Sequence, residues 1–402
     1  MAEAEARAFI LKLGSALHTY GYPSHRLENA LLAVSHHLGI AAAFFSAPTA
    51  LFASFGVGEE QRTHQIRASP AGVDLGKLSL LDAVADDVAQ GRTSLAAGAE
   101  RVDSIVGAPP PYGPIRTTLA FALASAAAGR FLGGGAREIA AAALIGLVFG
   151  LLDLLCARIA PLRRVFEAVA AAMAGFLATV LAREAGPLSV YVATVSGLIV
   201  LVPGFPLTVA LIELATQNLV SGTARFAGAV GTFLAIGFGV TLGRTLATRL
   251  LGAPSLHDPL PLPEWTLFAA MVVAGMAFTI LLKAELRDAP WIMASGLAGF
   301  LGARLGVHLL GPEVGSFLGA LFVGMIGNVY ARLLRRPAVV PIVPGLLLLV
   351  PGSIGFLSLS SLMGQETIAG IEAAVRMIVV AVSLATGVLF SNVVLPAPRL
   401  GR

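Results

Sequence analysis

The chain has 402 residues, of which 56% are hydrophobic and only 12% charged, and its mean hydropathy is +0.84. That is about half the charge load of an ordinary soluble domain, and a soluble globule of this size could not cover so much apolar surface, so a water-soluble enzyme is excluded as the whole protein. One cysteine excludes a disulfide framework and a cysteine-ligated metal cluster, and the net charge of +4 comes from scattered arginines, with no basic run suited to nucleic acid.

Residues 1–106 read as a soluble cytoplasmic α/β domain. The opening Met1-Ala2-Glu3-Ala4-Glu5 is acidic, and Lys12 and His18 interrupt the apolar stretch behind it, so no signal peptide is read. The pattern predicts a helix over 4–20, a turn at Gly21-Tyr22-Pro23, and a second helix over 25–38 with Ser24 as N-cap. Three short strands are expected at 40–46, 50–57 and 63–69. A third helix is expected from Ser79, with Asp82 completing a capping box, and a fourth over 95–106. Five of the seven histidines fall here (His18, His25, His36, His37, His64), without the spacing of a metal site. Ser24 lacks the Gly-x-Ser-x-Gly elbow of a nucleophile, and no Gly-x-x-x-x-Gly-Lys phosphate loop occurs. No catalytic residue, metal or cofactor is read from the sequence.

Residues 107–114, Pro-rich, form a stiff linker. Beyond it, apolar blocks alternate with short arginine-bearing breaks, predicting spans at 115–133, 137–157, 165–183, 188–202, 223–245, 265–283, 290–310, 314–331, 338–350 and 372–394. Two of them, 188–202 and 338–350, are short for a bilayer needing about 20 helical residues, and both end in Val-Pro-Gly. Sliding the chain by 148 residues lays Val202-Pro203-Gly204 on Val350-Pro351-Gly352, Gln217 on Gln365, Gly222 on Gly370 and Gly239 on Gly387. Such matches mark a duplication, with one membrane repeat over 115–250 and a second over 265–395. The expected fold is an α-helical polytopic membrane protein of about ten transmembrane helices in two five-helix repeats. Five is odd, so the second repeat is inverted. With both termini cytoplasmic, thirteen Arg or Lys residues flank the inner ends against five at the outer ends; counting 205–221 and 353–370 as extra spans evens the two sides.

A Pro-Gly interruption at matching points of two halves points to a transporter binding site. Proline breaks the helix, lipid cannot satisfy the freed backbone groups, and the helix N-terminus that follows suits a carboxylate. The candidate substrate-binding residues are Pro203, Gly204, Phe205, Thr208 and Gln217 in the first half, and Pro351, Gly352, Ser353 and Gln365 in the second. Glu213, Glu366 and Asp153 are the candidate proton carriers. Arg304 with His308, and Glu372 with Arg376, read as snorkelling or interfacial pairs, and Asn328 as a helix-packing residue.

The segment Gly21-Tyr22-Pro23-Ser24-His25-Arg26-Leu27-Glu28, followed by Pro48-Thr49 and Asp74-Leu75-Gly76-Lys77-Leu78, resembles the threonine/serine exporter family, as does the ten-span tail with its doubled Val-Pro-Gly. Arg26 and Glu28 match the family motif. The resemblance covers nearly the whole chain and implies a bacterial inner-membrane secondary exporter of threonine and serine, driven by the proton motive force. The expected partners are a small amino-acid substrate and the lipid bilayer, with no nucleic acid; a homo-oligomer is left open. The alternatives are a dicarboxylate exporter and, in another class, a membrane-anchored hydrolase or sensor acting through the N-terminal domain.

Overall fold

The computed structural model describes residues 2–68, 72–254 and 257–396. At the N-terminus, α1 (Ala2–Thr19) and α2 (Ser24–His37) precede three strands, β1 (Ala42–Ala47), β2 (Ala50–Phe55) and β3 (Arg62–Arg67). These form an antiparallel meander in which Ala47 pairs Ala50 and Ala50 pairs Arg67. Helices α3 (Leu75–Ala89) and α4 (Leu95–Gly107) complete the unit. Helix α3 starts four residues before the expected Ser79, because the buried Asp74 side chain accepts from the Lys77 amide at 2.9 Å and caps the helix there. Ser24 is likewise no N-cap. Pro23 holds that position without a side-chain bond, and the Ser24 hydroxyl turns to Ser221, 2.7 Å away.

The apolar faces of these helices bury Phe9, Leu13, Leu27, Leu31, Leu51, Phe55 and Leu78, and the same core continues without a break into Ile292, Tyr330, Val339, Val340 and Val343 of the membrane region. The N-terminal unit is therefore docked on the long helices rather than tethered beside them. Backbone bonds seal the joint: Leu75 donates to Leu282 O and Gly76 to Lys283 O. The linker is held as well, since the Tyr112 hydroxyl donates to Ala284 O at 2.6 Å and Lys77 Nζ donates to the carbonyls of Val106 and Ala108.

From Pro114 onward the chain is helical: α5 (Pro114–Phe131), α6 (Ala136–Cys156), α7 (Ala160–Arg163), α8 (Phe166–Glu184), α9 (Val190–Leu198), α10 (Gly204–Ala215) and α11 (Leu219–Leu251). Then come α12 (Thr266–Leu281), α13 (Ala289–Leu310), α14 (Pro312–Leu334), α15 (Val339–Leu349), α16 (Gly352–Met363) and α17 (Thr367–Val394). Among the described residues seven helices are long and apolar enough to cross a membrane, with Gly204–Ala215 and Trp265–Leu281 as shorter apolar helices. This is a polytopic helical membrane protein carrying a small N-terminal sheet. The expected short spans 188–202 and 338–350 need correction. Helix α9 stops at Leu198, but the chain resumes as α10 at Gly204; α15 stops at Leu349 and resumes as α16 at Gly352. The prolines interrupt these helices in their middle instead of ending them.

Small residues set the closest helix approaches, the usual means of association in lipid. A Cβ on Gly239 would overlap the Ala168 carbonyl of α8, and one on Gly387 would overlap the Phe317 carbonyl of α14. These two glycines are partners in the 148-residue repeat, so the duplicated sequence builds the same contact twice. A Cβ on Gly243 would overlap the Ala172 carbonyl, which cannot swing away, whereas Gly228 faces open space. Gly243→Ala is expected to cost about 1–3 kcal/mol from forced helix separation. Gly228→Ala is expected to be neutral or to stabilise by about 0.5–1 kcal/mol through helix propensity. Thermal unfolding of the two variants in one detergent separates them; equal midpoints would contradict the packing.

Candidate functional site

The two broken helices meet at their breaks. Pro203 and Pro351, 148 residues apart, adopt nearly the same backbone angles, with φ −80°, ψ 38° and φ −78°, ψ 35°. In the first break the Val202 and Leu201 amides both reach Leu198 O, and Gly204 donates to Val202 O at 2.8 Å, a tight turn that lets α10 begin one residue after the proline. A Cβ on Gly204 would overlap Val350 and lie 3.2 Å from the Gly352 nitrogen; a Cβ on Gly352 would sit 2.7 Å from Val202. Both positions are glycine because backbone rests against the opposite repeat there. Pro203, Gly204, Pro351 and Gly352 are all buried.

Other expected site residues are distributed unevenly around this crossing. Thr208 is fully buried, its hydroxyl donating to Gly204 O at 3.1 Å, so it braces the turn. Ser353, one residue into the second half-helix, is half-buried, and its carbonyl accepts from the Tyr191 hydroxyl at 3.4 Å. Gln217 and Gln365 do not reach the crossing. They are exposed, and both have left-handed backbones (φ 64° and 67°) in the equivalent turns from α10 to α11 and from α16 to α17. Their match across the repeat is that of two equivalent left-handed turns. The acids separate in the same way: Asp153 on α6 and Glu366 at the α16–α17 turn are exposed, and only Glu213 is buried.

Glu213 is the centre of a network that the sequence did not reveal. Its carboxylate accepts from Arg225 Nε at 2.9 Å and from the Ser24 amide at 3.0 Å, while Ser24 Oγ meets Ser221 Oγ. The N-terminus of α2 thus points at a buried carboxylate, where the helix dipole and free amides favour negative charge. Charge in the half-buried Arg225 completes the compensation. The available sequence signal was Ser24 beside Pro23, with Glu213 and Arg225 twelve residues apart across a turn; nothing local joined them.

Below the crossing, on the side of the N-terminal unit, lies a narrow cleft that is open at its mouth. Phe205, Val209 and Ile212 of α10, Val339, Ile342, Val343 and Leu346 of α15, and the end of α17 line it, with Pro23, His25 and Arg26 closing it from α2. Of the expected substrate residues only Phe205 borders this space. Burial first, and the neighbouring Arg26 second, push the His25 imidazole down to about 3, so it is neutral at physiological pH. Asn328, as expected, packs helices: its amide donates to Asn392 Oδ1 and Leu395 O.

Removing one partner of the Glu213–Arg225 pair strands a buried charge. Glu213→Ala and Arg225→Ala are each expected to lose about 3–5 kcal/mol, and the double variant much less than their sum. A double-mutant cycle on thermal unfolding measures the coupling; strict additivity would deny the pair.

Residues 8–247 match the family model described as "Putative threonine/serine exporter", and residues 267–394 the model described as "Threonine/Serine exporter, ThrE". The chain is 28% identical over 375 residues to pheromone-regulated membrane protein 10 of Pichia sorbitophila, covering 89% of this chain and 37% of that protein. The proteins of the same name from Yarrowia lipolytica and Saccharomyces cerevisiae are each 27% identical, with 30% and 48% of their lengths covered. The chain thus spans less than half the length of these curated relatives. No solved structure matches. The two matched models together run across the N-terminal unit and both halves of the helical region, and the chain belongs to the threonine/serine exporter family.

Proposed function

We propose that the chain is a proton-driven secondary exporter of threonine and serine working by alternating access between two inverted repeats. The observation that carries this is the crossing itself, where two Pro-Gly breaks with matching backbone angles lie against each other. Counting α9–α10 and α15–α16 as single broken spans gives five crossings per repeat: α5, α6, α8, α9–α10 and α11, then α12, α13, α14, α15–α16 and α17. The contacts support opposite directions. The end of α10 reaches Ser24 of the N-terminal unit, whereas the end of α16 meets Thr241 far along α11, through Met363. Residues 1–106 are then a cytoplasmic domain, 107–114 its linker, and 115–250 and 265–395 the repeats. The excess of arginine at the inner flanks supports cytoplasmic termini, and the membrane in this reading is a bacterial inner membrane.

In this mechanism the N-terminal ends of α10 and α16, one in each repeat, offer partial positive charge to the substrate carboxylate. Phe205 borders its path, and Ser353 supplies a hydroxyl at the second break. Glu213 carries the coupling proton: on protonation it releases Arg225 and the α2 N-terminus, loosening the domain side of the path. Proteoliposomes loaded with labelled threonine test the reading. Efflux is expected to accelerate severalfold under an imposed pH gradient, and Glu213→Gln to remove that response. Absence of any gradient effect in the unmodified protein overturns it, and efflux of succinate in place of threonine selects a dicarboxylate exporter.

A further inference from the structure

Eight of the thirteen residues lining the cavity under the crossing are valine, isoleucine or leucine, yet Arg26 lines it from α2. Arg26 is half-buried, and among the described residues its side chain has no hydrogen bond and no ion pair. A guanidinium held against apolar walls with no bonded partner is expensive, and Asp82 of α3 offsets it only through space, so the site suits an anion in direct contact. Among the described residues none of the acids around α2 bonds Arg26 directly. Glu213 is bonded to Arg225 and the Ser24 amide, Glu28 accepts from the Ser46 amide at 2.7 Å, and Asp82 faces the Tyr22 hydroxyl. His25 is neutral, which leaves Arg26 as the positive side chain among the residues lining the cavity.

A second feature supplies the complementary polarity. Asn392 also lines the cavity; its Oδ1 accepts from Asn328 and its Nδ2 donates to Val388 O, which leaves one donor and one lone pair for a hydroxyl.

We infer that this cavity is the cytoplasmic loading site for the amino acid, with Arg26 of the N-terminal domain holding the carboxylate and Asn392 the hydroxyl. The inference rests on the exporter reading and goes beyond it, because it makes the N-terminal domain part of the substrate site. Val339, Ile342 and Val343 face the substrate's carbon side, so the extra methyl of threonine gives about fourfold tighter binding than serine.

The test uses the full chain in proteoliposomes. Arg26→Gln is expected to raise the threonine KM at least tenfold, with Arg26→Lys in between. 1-Aminopropan-2-ol, which lacks the carboxylate, is expected to compete poorly with threonine in the unmodified protein and equally well in Arg26→Gln. Should Arg26→Gln fail to fold, phenylglyoxal labelling of the unmodified protein, mapped by peptide mass, reads the same contact: threonine is expected to protect Arg26. An unchanged KM in Arg26→Gln, or no protection of Arg26, overturns the loading site while threonine export by the unmodified protein keeps the exporter reading intact. Failure of the unmodified protein to move threonine overturns both.

Discussion

Backbone against backbone at the two Pro-Gly breaks is the constraint on which the rest of the helical region depends. Each proline interrupts a helix in its middle, and each glycine after it leaves room for the opposite repeat: Gly204 against Val350 and Gly352, Gly352 against Val202. Lipid cannot hydrate an interrupted helix, so the freed amides and carbonyls must be enclosed by protein or line a wet space. The surrounding long helices do the enclosing. Their own close contacts, such as Gly239 on Ala168 and Gly387 on Phe317, repeat at the same offset and hold the two halves in one geometry.

The N-terminal unit is joined to this arrangement by chemistry stronger than surface contact. Its core runs into Tyr330, Val339 and Val343, and its second helix directs a free amide at the buried Glu213 carboxylate. At the α12–α13 junction, Arg336 bonds both Glu285 and Asp288, and Tyr330 bonds Asp288, fixing the loop onto which α3 docks. A domain fastened in this way cannot shift without disturbing the ends of α10 and α15, the two half-helices that border the cavity.

Much of this was legible in the sequence because membrane helices announce themselves by length and hydropathy. The long helices begin and end within a few residues of their expected limits, and the Val-Pro-Gly pair correctly marked a meeting of two breaks. What failed, failed for tertiary reasons. Gln217 and Gln365 matched because equivalent turns use the same left-handed residue, a fact of backbone geometry unrelated to ligand. Ser24 had the composition of a cap and was used instead as a tertiary bond to Ser221. Asp153 and Glu366 were acids in apolar surroundings by sequence, yet Asp153 lies on the exposed face of α6 and Glu366 in the exposed α16–α17 turn. Arg26 could not be placed at a cavity, since its walls come from α2, α10, α15 and α17, hundreds of residues apart.

The sequence match at the 148-residue offset keeps its frame from Val202 to Gly239 and is unequal in chemistry. At the 148-residue offset Glu213 falls on Ser361, Arg225 on Ala373 and Ser221 on Ala369, so the second repeat has no counterpart of the charged latch. Conversely, Pro341 and Pro344 of α15 fall on Ala193 and Ser196 of α9, so the extra loosened backbone lies only in the half-helix on the domain side. Both differences concentrate on the side where the N-terminal unit docks. If the repeats exchange conformations during transport, opening toward the domain requires breaking an ion pair and a helix-terminus contact, while opening on the far side requires neither. Under the exporter reading proposed above, the two half-paths then differ in both charge and backbone, and protonation of Glu213 bears on only one of them.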